Sequence, residues 1–172
     1  DALNVDGFGK KIVENFYKLK LIKFPQDLFK LDLKIIEKLE GWGRLSVKNL
    51  KYAINEKKNI SIERFIYSLG IRHIGLENAK LISKHYKSFS KFKDLSKNKE
   101  YNELLNIDGI GETQVNSIKN FFSNKINLDV LDQLEKILNI KNVTQDNKNG
   151  KLKNKTFMIT GKLNGISRAE VK

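Results

Sequence analysis

Four short segments of this sequence repeat one run of residue types: apolar, polar, glycine, apolar, glycine. They are Val5-Asp6-Gly7-Phe8-Gly9, Leu39-Glu40-Gly41-Trp42-Gly43, Ile71-Arg72-His73-Ile74-Gly75 and Ile107-Asp108-Gly109-Ile110-Gly111, with His73 replacing a glycine once. Glycine has no Cβ and takes positive φ, so backbone built from it approaches a ligand closely. The final glycine of each segment is expected to use both properties. Cations follow: Lys10 and Lys11 after the first segment, Arg44 and Lys48 after the second, Lys80 after the third; the fourth is followed by Glu112, which opposes an anion, and Thr113, a hydrogen-bond donor. A glycine that opens a helix leaves the first amides without acceptors, and the helix dipole adds partial positive charge, so the chemistry is that of a phosphate site. The candidate contacts are Gly7, Gly9, Lys10, Lys11, Gly41, Gly43, Arg44, Lys48, Gly75, Lys80, Gly109, Gly111 and Thr113.

The elements that must position these residues show the same repeat. The final glycines are 34, 32 and 36 residues apart. Four positions on stand Val13, Val47, Ala79 and Val115; seven on stand Phe16, Leu50, Ile82 and Ile118. Apolar residues at those offsets are the stripe of an amphipathic helix. Upstream stripes, Ile35, Ile36 and Leu39, then Phe65, Ile66 and Leu69, then Leu104 and Leu105, predict a helix before the last three hairpins. The unit is helix, glycine hairpin, helix, and residues 1–140 are expected to be all-α. One unit cannot bury both apolar faces, so the hairpins should pair, first with second and third with fourth. Phe8, Trp42, Ile74 and Ile110 are expected to plug the gap between their helices, with a groove contact of Trp42 as the alternative. Pro25 suits a helical first turn, Ser61 a helix start, and Leu128, Leu131, Leu134 and Leu138 make one further stripe. No strand is expected before residue 155. Residues 141–154 read as a linker; residues 155–161 read as a strand ending in a turn, and Ser167 as the cap of another helix.

Composition narrows the function classes. The 172 residues hold 33 Lys and Arg against 20 Asp and Glu, a formal charge of +13, which favours a polyanionic partner. Residues 1–58 carry +5, residues 59–140 carry +2 and residues 141–172 carry +6, so charge alone does not place the contact on the hairpins. There is no cysteine, hence no disulfide and no thiolate zinc site in this chain. His73 is read as a turn residue and His85 as surface. No apolar run is long enough to span a membrane and no leader opens the sequence, so a cytoplasmic location is expected. Hairpin amides meet backbone phosphate rather than base edges, so the expected activity is duplex-DNA binding without sequence preference.

Four tandem helix–hairpin–helix units with this wording resemble the C-terminal half of bacterial NAD-dependent DNA ligases. The similar segments are Asn4 to Gly9, Phe24 to Phe29, Glu40 to Ser46 and Leu69 to Gly75. Thr156 to Leu163 with Arg168 resembles the opening strand and helix start of a truncated α/β BRCT domain. The resemblance implies the DNA-gripping part of an enzyme that seals nicks in replication and repair, with NAD, magnesium and zinc as cofactors of the parent enzyme and none in this chain. That family carries its nucleophilic lysine in Lys-x-Asp-Gly. Here the Asp-Gly pairs are Asp6-Gly7 and Asp108-Gly109, preceded by Asn4 and Asn106 where the lysine would stand. No adenylation nucleophile is therefore expected, nor ligation by this chain alone. Leu76 stands where many relatives are expected to carry an acidic residue. The alternatives are a helix–hairpin–helix module of another repair protein, of excision-nuclease or junction-binding type, and a protein-interaction module.

Overall fold

The computed structural model describes residues 3 and 5–143. Along these run α1 (Lys10–Lys18), a 3-10 helix (Pro25–Lys30), the one-turn α2 (Leu33–Ile36), α3 (Arg44–Glu56), β1 (Asn59–Ser61) and α4 (Ile62–Ser68). Then come α5 (Leu76–Tyr86), α6 (Phe89–Asn98), a second 3-10 helix (Tyr101–Asn106), α7 (Glu112–Ser123), α8 (Lys125–Ile137) and β2 (Asn139–Lys141). Glycine hairpins lead into α1, α3, α5 and α7, as their spacing predicts.

Two apolar cores organise these helices. The first gathers Phe16, Leu28, Ile36, Val47, Leu50 and Ile54, with Phe8 and Trp42 packed on it. It joins the first hairpin to the second. The other runs from Ile60 to Leu138 and holds Ile74 and Ile110, one from each later hairpin. The expected pairing is therefore present in the packing. Phe29 touches both cores, and Lys30 Nζ donates to Gln133 Oε1 at 3.0 Å across the same joint. The residues seven positions after the final glycines, Phe16, Leu50, Ile82 and Ile118, are at most 2 % exposed. Burying each such side chain contributes roughly 1.5–3 kcal/mol.

Several expectations need correction. Residues 1–140 are not purely helical: β1 pairs in parallel with β2, Asn59 with Asn139, Ile60 with Ile140 and Ser61 with Lys141. Asn139 N–H also donates to Lys58 O at 2.7 Å, and Val143 N–H to Lys87 O at 3.1 Å. Each strand has one apolar residue between polar ones, too short for an alternation to register, and its partner is a distant segment. The stripe fails at Val13, which is 38 % exposed. Upstream, Ile35 and Leu105 face solvent, because α2 is a single turn and the Leu104 segment is 3-10 rather than α. The third hairpin is therefore the one flanked by α-helices of more than one turn on both sides. Residues 144–154 of the expected linker, the strand expected at 155–161 and the helix start at Ser167 lie outside the described residues.

Candidate phosphate-binding hairpins

Each hairpin is built by one backbone bond. Phe8 N–H donates to Val5 O at 3.0 Å, Trp42 N–H to Leu39 O at 3.1 Å, Ile74 N–H to Ile71 O at 3.0 Å and Ile110 N–H to Ile107 O at 3.0 Å. The residue third in each turn takes positive φ: Gly7 at 73°, Gly41 at 81°, His73 at 62° and Gly109 at 88°. A turn with positive φ at that position selects glycine. His73 meets the same demand, and the side-chain amide of Asn78 donates to its carbonyl at 3.0 Å.

The final glycines differ from expectation. Gly9, Gly43, Gly75 and Gly111 have φ of −75°, −97°, −79° and −111° with extended ψ, which any residue adopts. Positive φ belongs instead to the position two residues earlier, Gly7, Gly41, His73 and Gly109. A Cβ built on Gly9, Gly43 or Gly75 meets nothing within 4 Å. Neither backbone conformation nor internal packing requires glycine at these three positions. The remaining property is the bare backbone it presents outward, at the N-cap of a helix of nine, thirteen or eleven residues. Their carbonyls start the helical ladder, to Val13, Val47 and Ala79. Their own amides find no acceptor among the described residues.

All thirteen candidate residues lie on the surface. Three of the cations are held by acidic neighbours. Lys10 Nζ lies 3.9 Å from Glu14, Arg44 Nε donates to Glu37 Oε1 at 3.1 Å, and Lys80 Nζ to Glu77 Oε1 at 2.7 Å. The Lys10 and Arg44 side chains are 91 % and 95 % exposed. Exposed pairs of this kind contribute little and yield readily to a phosphate. Between the first two hairpins lies a cleft of about 580 Å³ lined by Gly7, Gly41, Trp42, Asp6 and Glu40 among others. It holds the carboxylates and the positive-φ glycines; Gly9, Gly43, Lys10 and Arg44 are outside it.

The sequence reading missed Gln114, whose Oε1 accepts from Gly111 N–H at 3.2 Å. It also missed Glu37 and Asn78. Gln114 stands three residues after the helix-opening glycine, where a side chain reaches back to the cap, so its signal was present; Asn78 stands at the same offset but reaches past the cap to the His73 carbonyl.

Comparison with known proteins gives the same architecture a lineage. Residues 64–131, which contain the third and fourth hairpins, match a family described as the helix-hairpin-helix motif. The whole chain is 68 % identical to a segment forming 25 % of a DNA ligase of Pelagibacter ubique. It is 39 % identical to a segment forming 27 % of one from Rickettsia canadensis, and 41 % identical to a similar share of one from Ehrlichia canis. The chain thus spans about a quarter of the length of the curated relatives it matches. Over its full length the chain matches a region of bacterial DNA ligases, and this region contains the helix-hairpin-helix motif.

Proposed function

We propose that this chain grips duplex DNA through backbone phosphates, without reading sequence, and serves as the DNA-holding part of a nick-sealing, NAD-dependent ligase in replication and repair. The observation that carries this is the final glycine of the first three hairpins. Glycine is needed there by neither φ nor packing, and this exposed residue's amide, at a helix N-terminus, has no acceptor among the described residues. A phosphate oxygen is the ligand suited to such an end. Lys10 and Lys11, then Arg44 and Lys48, then Lys80 supply cations beside it. Adenylation, with its NAD and magnesium, and the zinc site belong to the remainder of such a protein. This chain supplies no cysteine for a thiolate zinc site. A bacterial cytoplasm is the place for this work. Among the described residues no helix is long and apolar enough to cross a membrane.

The direct test is fluorescence anisotropy with labelled duplexes of unrelated sequence across a salt series. Equal affinities that fall steeply with salt are expected; each phosphate neutralised by Lys or Arg adds about −0.9 to the log–log slope. Affinity indifferent to salt, or confined to one sequence, contradicts the proposal.

One feature favours a protein contact as a second reading. Tyr17, Leu45 and Tyr52 are 62–70 % exposed on α1 and α3. Association through these residues would strengthen, not weaken, with salt.

A further inference from the structure

The four hairpins share a backbone, yet the fourth differs at the position where an anion would sit. We infer that the fourth hairpin is closed: Gln114 occupies its anion position from within, Glu112 guards it, and this hairpin braces the fold instead of holding a phosphate. The inference rests on the phosphate reading of the other hairpins and assigns them unequal roles within it.

Three independent observations carry it. First, Gly111 N–H donates to Gln114 Oε1 at 3.2 Å, whereas the amides of Gly9, Gly43 and Gly75 have no acceptor among the described residues. The residue equivalent to Gln114 is Ile12 in the first repeat and Ser46 in the second. In the third it is Asn78, whose side chain donates to the His73 carbonyl and leaves the Gly75 amide alone. Second, the first helical residue is Lys10 or Arg44 in the first two repeats but Glu112 in the fourth. A neutral amide oxygen is a weaker acceptor than a phosphate, so Gln114 alone would delay an anion. An exposed carboxylate next to it adds like-charge repulsion. Third, a Cβ on Gly109 would stand 3.0 Å from Leu81 Cδ1 of α5, whereas Gly7 and Gly41 have nothing within 4 Å. The fourth turn is pressed against the helix that follows the third hairpin, which is the contact of a brace.

The same chemistry gives a gradient. Among the described residues the final-glycine amide has no acceptor in the first three hairpins; the first two add a pair of cations each, Lys10 with Lys11 and Arg44 with Lys48, the third adds Lys80, and the fourth has its Gly111 amide paired and Glu112 in place of a cation. Phosphate contact is thus concentrated in the first pair, outside the stretch that matches the helix-hairpin-helix family.

A mutant cycle on the full 172-residue chain tests this, read as anisotropy with a labelled 30-base-pair duplex. Gly111→Ala is tolerated structurally: φ is extended, and the new Cβ lies 3.5 Å from Gln114 Oε1, an ordinary contact. In the parent chain it should leave affinity unchanged. Gly9→Ala and Gly43→Ala keep the amide but place a Cβ in the path of an approaching phosphate; each should weaken binding by about tenfold, the size of one charge-assisted hydrogen bond. Opening the fourth hairpin with Glu112→Lys and Gln114→Ala should raise affinity. In that opened background Gly111→Ala should cost about tenfold as well. If Gly111→Ala weakens the parent as much as Gly43→Ala does, or stays silent in the opened background, the closure is overturned and the phosphate reading survives. If Gly9→Ala and Gly43→Ala are themselves silent, the phosphate reading fails and this inference fails with it. Circular dichroism of each variant separates loss of contact from loss of fold.

Discussion

The rings of Phe16 and Trp42 lie 5.5 Å apart at an interplanar angle of 44°, so the second hairpin is pinned to the helix that follows the first. Phe8 reaches the same Phe16 ring, edge-on at 5.5 Å. Two hairpins separated by 34 residues thus share one fully buried aromatic anchor. Phe16→Ala should cost about 3–5 kcal/mol, the usual range for emptying a buried aromatic site. Trp42 is the only tryptophan, so its fluorescence during urea unfolding reports on this half. A midpoint unchanged by Phe16→Ala would show that the anchor is dispensable.

The two glycines of one hairpin should separate by stability. Gly41 has φ of 81°, and forcing a side chain into that region costs about 1–2 kcal/mol. Gly43 is extended with open space around its Cβ position, and alanine at such a cap costs under about 1 kcal/mol. Thermal melts of Gly41→Ala and Gly43→Ala should therefore rank Gly41→Ala as the less stable. The reverse order would mean that Gly43 is kept for the fold.

Lys93 ties α6 to α8 through Asp132 and Glu135. Burial opposes its charge, but the two carboxylates outweigh that and hold its pKa above the ordinary 10.5. A folded-state pKa raised above the unfolded one means stabilisation that is complete below about pH 10.5 and lost as pH rises through the folded value. Lys93→Met should cost about 1–3 kcal/mol at neutral pH, since it leaves two close carboxylates unpaired. Denaturant unfolding at pH 8 and at pH 11.5 should show the difference between parent and variant shrinking at the higher pH. A constant difference would rule out the ion pair as its cause.

Tyr86 is buried, and its Oη has no partner among the described residues. Burial first, then the carboxylates of Glu103 and Glu100, push its pKa up to about 12. Tyr86→Phe removes a hydroxyl without a partner among the described residues, so stability at pH 7 should be unchanged or higher by up to about 1 kcal/mol. It should also lessen the loss of stability between pH 10 and 12, where the raised folded pKa favours the ionised unfolded chain. Destabilisation at pH 7 would reveal an acceptor for this hydroxyl.

The parts of the fold visible in the sequence are local ones. A glycine hairpin and the apolar stripe after it are written within about ten residues, so all four starts, at Lys10, Arg44, Leu76 and Glu112, were legible. The β1–β2 pair was not, because Ile60 and Ile140 meet only after every intervening helix has packed. Val13 keeps the residue type of the stripe yet faces solvent, since the first core is small and is filled from other directions. Within the hairpins, residue types marked where glycine occurs but not which glycine carries the turn. Positive φ falls on Gly7, Gly41 and Gly109, where the turn bond requires it, and leaves Gly9, Gly43 and Gly111 extended.

The most direct measurement is the salt dependence of duplex affinity for Gly43→Ala beside Arg44→Ala, both shown by circular dichroism to be folded. The amide of Gly43 carries no net charge, so hindering the phosphate's approach to it with a Cβ should weaken binding about tenfold with the log–log slope unchanged. Removing the Arg44 guanidinium should weaken binding and flatten the slope by up to about one unit. If folded Gly43→Ala binds duplex as tightly as the parent, the hairpin is only a turn, and the DNA contact lies elsewhere, with the basic stretch after Lys141 as the first place to look.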